Sequence, residues 1–240
     1  MGTSIIAAGK EFDIKCKVVL WNETDGLDLY QYKNYSARKI NHDELKNKIK
    51  NFTCHHSVTY RARHTYNGLN SRKLSVNFII DDDNVGGYAT IYQCLDIKDC
   101  GWSQGICNAT GAGVEISFMP QAWENPNLYS EANKQKHSVP EHLIDYDTVH
   151  GRKLKIFKPT QAQVNSLIQL IWGYCELFPN INIKFPRDNN GNLIKTSINK
   201  PEQYNGILNH YNITNKKIDT LGLSLEYIET EVGNRKLVGY

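Results

Sequence analysis

Residues 13–21, Asp-Ile-Lys-Cys-Lys-Val-Val-Leu-Trp, alternate polar and apolar before a short apolar run, which predicts a β-strand. Residues 42–52 (HDELKNKIKNF) place apolar positions at helical spacing and predict a short amphipathic helix. A second strand is expected over 52–60 (FTCHHSVTY), running into a loop. Residues 73–96 join two β-rich runs through an Asp/Asn/Gly-rich turn, a hairpin pattern. Residues 111–119 (GAGVEISFM) read as a buried strand with one carboxylate, Glu115, in its middle.

Residues 120–150 are polar and mixed and read as a long insertion loop. The clearest helix is predicted over 159–179. Thr160 serves as its N-cap, apolar residues recur at Val164, Leu167, Ile168, Ile171, Trp172 and Cys175, and Pro179 marks its end. A turn-rich stretch, a strand over 206–214 and a helix over 222–231 complete the chain. Strands, a hairpin and helices in this order predict an α/β fold, a mixed central β-sheet flanked by helices. Residues 1–50 are read as a strand/helix extension packed on the core. Residues 51–240 are read as the catalytic domain carrying the 120–150 insertion.

Composition adds exclusions. The 240 residues are 40% hydrophobic and 22% charged, enough for one sizeable core. The formal net charge is +3, and no Lys/Arg run forms a nucleic-acid patch. No apolar run approaches the roughly 18 residues of a membrane helix, so no membrane insertion is expected. The start, MGTSIIAAGKEFDIK, lacks the basic leader and long apolar core of a signal peptide, so synthesis in the cytoplasm is expected. The six cysteines show no CxxC pair and no disulfide framework, and are read as reduced.

Four places carry polar residues that a purely structural reading does not require: His55-His56 at the end of an apolar strand, Glu115, His210, and Lys217-Ile218-Asp219. Two histidines and a carboxylate form a zinc-binding set that leaves a fourth position open, as catalytic sites do. A carboxylate such as Glu115 would take a proton from water, and a lysine would steady an oxyanion. Equally, the histidine pair reads as a satisfied strand end, Glu115 as an edge-facing carboxylate and Lys217-Asp219 as a solvated loop. His137, His142 and His150 in the insertion read as loop histidines facing solvent.

Taken in order, the segments TCHHSV, VNFIIDDDNVGGYATIYQCLD, NATGAGVEISF, PTQAQ and HYNITNKKIDTLG resemble the zinc-dependent N-acetylmuramoyl-L-alanine amidases of type 2 over residues 50–230. That family shares the peptidoglycan-recognition-protein fold and includes many phage endolysins. The resemblance implies a zinc cofactor held by His55, His210 and Asp219, with His56 the alternative at the pair. It implies Glu115 as general base, Lys217 as oxyanion stabiliser, and His56, Ser103 and Asn108 as substrate-binding positions. Two positions depart from the family pattern. Val76 stands where many relatives have Tyr, which places more of the chemistry on Glu115, and Ser103 stands where a His is frequent.

The implied enzyme is a peptidoglycan hydrolase that cuts the amide between N-acetylmuramic acid and L-alanine. The alternative is a non-catalytic muropeptide-binding protein of the same fold. Peptidoglycan or muropeptides are the expected partners, and the chain is read as a monomer. It would act on the bacterial wall as a phage lysin or virion component, or recycle muropeptides in the cytosol.

Overall fold

The computed structural model describes residues 2–32, 35–130 and 142–238. Among the described residues, nine strands and five α-helices follow one another. They are β1 (Gly2–Ala7), β2 (Lys10–Leu20), α1 (His42–Lys46), β3 (Asn51–His56), α2 (Ala62–Ser71), β4 (Phe78–Ile80) and β5 (Ile91–Gln93). Then come β6 (Gly111–Ile116), β7 (Ile144–Val149), β8 (Arg152–Phe157), α3 (Gln161–Leu177), β9 (Gly206–Asn209), α4 (His210–Ile213) and α5 (Leu225–Val238).

Seven strands form one mixed sheet in the order β1-β2-β5-β4-β6-β3-β9, the expected α/β architecture. Pairing is parallel for β2–β5, β4–β6, β6–β3 and β3–β9, and antiparallel for β1–β2 and β4–β5. Residues at even positions of β3 point to one face. Phe52 and Cys54 join Phe78, Val114 and Ile116 in the main core, roofed by Leu167, Ile171 and Tyr174 of α3. The opposite face carries a smaller core of Ala62, Leu69, Val76, Ile79 and Cys94 under α2. Strand alternation therefore sends His55 to the face opposite Cys54. In register, His55 sits beside Glu115 on β6, and Glu115 beside Ile79 on β4.

Helix α3 begins as the sequence predicts. Thr160 accepts from the backbone N–H of Gln163 at 3.2 Å, and Gln163 Oε1 accepts from the Thr160 N–H at 3.0 Å, a capping box. The Gln163 amide then donates to Ser117 O and Asp81 O, fastening the helix start to the ends of β6 and β4. Gly173 lets the helix approach β2, because a Cβ there would collide with Ile14.

Several boundaries differ from the sequence expectations. The helix expected over 42–52 stops at Lys46, whereas the strand ends at the His55-His56 pair as expected, and Val58 just beyond it turns into the left-handed region. Helix α2 was not foreseen. Its sequence, ARHTYNGLNS, is poor in helix formers, and Asp81 Oδ1 accepts from the Ala62 N–H at 2.7 Å to hold its first turn. The terminal helix runs from Leu225 to Val238 rather than over 222–231.

The first residues form β1, joined to β2 by a two-residue turn with Ala8 and Gly9 both at positive φ. The insertion is not all loop. β7 and β8 pair as an antiparallel hairpin through His150-Gly151, again both at positive φ. His137 lies outside the described residues. All six cysteines are unpaired and buried, and no helix among the described residues is long and apolar enough to cross a membrane.

Candidate active site

Three side chains from separate segments meet above the C-terminal ends of β3 and β9. His55 is the penultimate residue of β3, His210 follows the last residue of β9 and opens the one-turn α4, and Asp219 returns nine residues later. His55 Nδ1 lies 3.0 Å from His210 Nδ1 and 3.1 Å from Asp219 Oδ2, and His210 Nδ1 lies 2.9 Å from the same oxygen. The Tyr211 N–H donates to the Asp219 carbonyl at 2.8 Å, which holds the returning segment in place.

Protons alone do not satisfy this triangle. If each imidazole donates to Asp219, the two Nδ1–H groups confront one another at 3.0 Å. One cation shared by the three atoms removes the conflict, and this is the donor set that suits zinc and similar divalent ions. The protonation states agree with ligation. Burial and then the neighbouring His210 pull the His55 imidazole down to about 4, leaving it neutral at pH 7. Burial alone would raise the Asp219 carboxyl, but hydrogen bonds from His210 and His55 and their charge hold it well below the usual carboxylate range.

Glu115 stands in the neighbouring row of the sheet. It is 9% exposed, and its Oε2 has no partner among the described residues. Burial, then the Asp219 carboxylate, push its carboxyl up to about 8, with Arg72 and Lys217 opposing. A carboxyl poised near neutrality on the wall of a cleft is what general-base chemistry uses. The cleft, of about 340 Å³, is lined by the triad, Glu115, Lys217, Ser103 and Arg72 among others.

The structure separates the two histidines of the pair. His56 faces the main core side, where its Nδ1 accepts from the Leu221 N–H at 3.2 Å and its ring packs on Phe118. It lines the cleft without joining the triad. Ser103 also lines the cleft, and its hydroxyl is buried without a partner among the described residues. Asn108 does not line it. Asn108 sits in a 3₁₀ turn before β6, where its Oδ1 accepts from the Gln104 N–H at 2.7 Å. Val76 is fully buried in the smaller core, away from the cleft lining.

Of the insertion histidines, His142 does not face solvent as expected. His142 Nε2 lies 3.0 Å from Asp82 Oδ1, and both side chains are fully buried. His150, at the hairpin turn, contacts the Lys217 carbonyl through Nε2 at 2.9 Å, so the hairpin braces the loop carrying Lys217. Sequence reasoning also missed Arg72, Thr65 and Val58 in the cleft wall. Val58 alone carried a signal, since it follows the histidine pair so closely.

The family model for N-acetylmuramoyl-L-alanine amidase matches residues 45–220, most of the chain and all of the candidate site. Among solved structures, the chain is similar to the N-acetylmuramoyl-L-alanine amidase LysC from Clostridium intestinale. The TM-score is 0.50 at 12% identity, over 91% of this chain and 98% of that one. It is similar too to the endolysin N-acetylmuramoyl-L-alanine amidase LysCS from the same organism, with TM-score 0.50 at 13% identity, over 90% of this chain and 95% of that one. At these identities the likeness is one of fold. No curated protein sequence matches significantly.

Proposed function

The chain belongs to the N-acetylmuramoyl-L-alanine amidase family, and from that premise we propose that it hydrolyses the amide between the lactyl group of N-acetylmuramic acid and L-alanine in bacterial peptidoglycan, using zinc held by His55, His210 and Asp219. The observation that carries this reading is the convergence of three ligand atoms within 3.1 Å of one another, beside a buried carboxyl, in one cleft.

Bound there, zinc would supply Lewis acidity to the scissile carbonyl and to the attacking water. In its ionised form Glu115 accepts a proton from that water and delivers it to the nitrogen of the departing L-alanine, and its raised affinity for the proton draws it from the water. Lys217, on the loop ending in Asp219, places a positive charge where the carbonyl oxygen becomes negative. Arg72 and Lys216 add positive charge to the walls of a cleft that receives an anionic stem peptide. The Asp219 carboxylate and the neutral His55 imidazole are already in the forms that ligate a metal. The unpartnered Glu115 oxygen supports catalysis over recognition alone, because a binding site has no use for a buried carboxyl without a partner.

Purified peptidoglycan incubated with the zinc-loaded protein tests the proposal. Clearing that a chelator abolishes, with stem peptides released bearing a free L-alanine amino terminus, is the expected result. Binding of muropeptides with no new amino termini would replace the amidase by a recognition protein.

A further inference from the structure

Val58 lines the cleft two residues after the histidine pair. Its φ of +54° puts a β-branched residue in the left-handed region, which such side chains rarely adopt. The residue is 41% exposed and belongs to none of the apolar clusters among the described residues. Strain and exposure both work against stability, and a residue keeps such a conformation only where its surroundings impose it.

Those surroundings are a chain of four hydroxyls. Ser57 Oγ lies 2.9 Å from Thr59 Oγ1, which lies 2.7 Å from Thr65 Oγ1, which lies 2.9 Å from Ser117 Oγ. Ser57 and Thr59 flank Val58. Thr65 belongs to α2, and Ser117 follows β6 in the core, where the Gln163 amide holds its carbonyl. The Ser57 N–H also donates to Ile116 O at 3.0 Å. The turn is thereby tied to two elements of the scaffold, with the valine left pointing into the cleft.

We propose that Val58 is a specificity-determining residue that packs against an aliphatic methyl group beside the scissile amide. This rests on the amidase reading. The groups around the reacting bond are polar or charged: His55, His210, Asp219, Glu115 and Lys217. A muropeptide carries a methyl on each side of that bond, one on the lactyl group and one on L-alanine. Of the aliphatic residues in the cleft wall, Leu69, Leu74 and Ile218 pack into or against the apolar clusters of the fold, whereas Val58 is held outside them, where its side chain is free to give such a methyl an aliphatic contact. A glycine would adopt the same backbone without strain and would forfeit the contact.

The test compares zinc-loaded wild-type protein with Val58→Gly on a soluble muramyl tripeptide, and on the same compound with glycine replacing L-alanine. Val58→Gly is expected to raise KM about tenfold, the effect of one lost aliphatic contact, with kcat little changed and Tm undiminished. If the glycine-containing substrate abolishes the difference between the two proteins, the methyl is that of L-alanine. If the difference persists in full, it is the lactyl methyl. An unchanged KM for Val58→Gly overturns the proposal, as does a fall in Tm that accompanies the loss of activity, which would make Val58 structural only. Failure of the wild-type protein to cleave either compound would instead overturn the amidase reading, and this proposal with it.

Discussion

Replacing Glu115 by Gln is expected to stabilise the metal-free protein while ending catalysis. The folded carboxyl is pushed from 4.5 to about 8, first by burial and then by the Asp219 carboxylate. In the unfolded chain the same group ionises near 4.5. Between these values the folded protein retains a proton that the unfolded chain has released. By linkage, stability therefore falls as pH rises through this window, and the loss levels off only above about 8. Each pH unit within the window is worth about 1.4 kcal/mol, so the deficit that accumulates by pH 7 is about 3 kcal/mol.

Glutamine keeps the shape and removes the titration. Urea unfolding followed by circular dichroism, with chelator present, measures both proteins at pH 4.5 and pH 7. The stability of the variant relative to the parent should improve by about 3 kcal/mol across that interval. Comparing the two pH values cancels any fixed effect of the amide itself. A difference that does not vary with pH would show the Glu115 carboxyl to be ionised in the folded protein, and the argument for a desolvated base would fall. Activity of the zinc-loaded variant should drop at least about a hundredfold.

Asp219→Asn and His210→Ala should each lose bound zinc on dialysis, as read by elemental analysis, and full retention would remove that residue from the ligand set. Lys217→Met should keep its zinc yet lose about a hundredfold in kcat, the scale of one oxyanion-stabilising donor; loss of zinc instead would make Lys217 a structural brace. Thr160→Ala should cost about 1 kcal/mol in urea unfolding, the usual value of an N-cap, and an unchanged midpoint would show that packing alone sets the start of α3.

The parts of the site carried on regular elements were legible in the sequence. Period-two alternation marks 52–56 as a strand, and one step along it separates a core-facing Cys54 from His55. Helix α3 announced itself through Thr160 and its apolar spacing, and Gln163 at the third helical position completed the capping box. What could not be read was any feature fixed by distant partners. Helix α2 depends on Asp81, nineteen positions beyond Ala62, and nothing within ARHTYNGLNS declares it. The hairpin of β7 and β8 was hidden because Ile144 and Tyr146 are exposed while Asp147 is buried, which inverts the usual polar/apolar alternation, although His150-Gly151 between the two runs was a usable turn signal.

Asn108 shows the opposite error. It is close to Glu115 in sequence, but a strand advances about 3.3 Å per residue, so a residue ahead of β6 is carried to the far end from the cleft. The choice between His55 and His56 likewise needed the third dimension, because both faces of β3 are covered.

The six buried cysteines bear on where such a protein can work. Burial raises the thiol of Cys54 and Cys94 far above the usual range, those of Cys16, Cys107 and Cys175 to about 12, and that of Cys100 as well. The thiolate is the form that captures metals and exchanges disulfides, and the folded chain holds almost none of it. No cysteine lines the cleft, so a metal ion entering it would meet no rival sulfur, and the buried thiols offer no ready partner for a crosslink. The fold thus keeps its thiols out of disulfide exchange, and its durability rests on packing rather than on crosslinks.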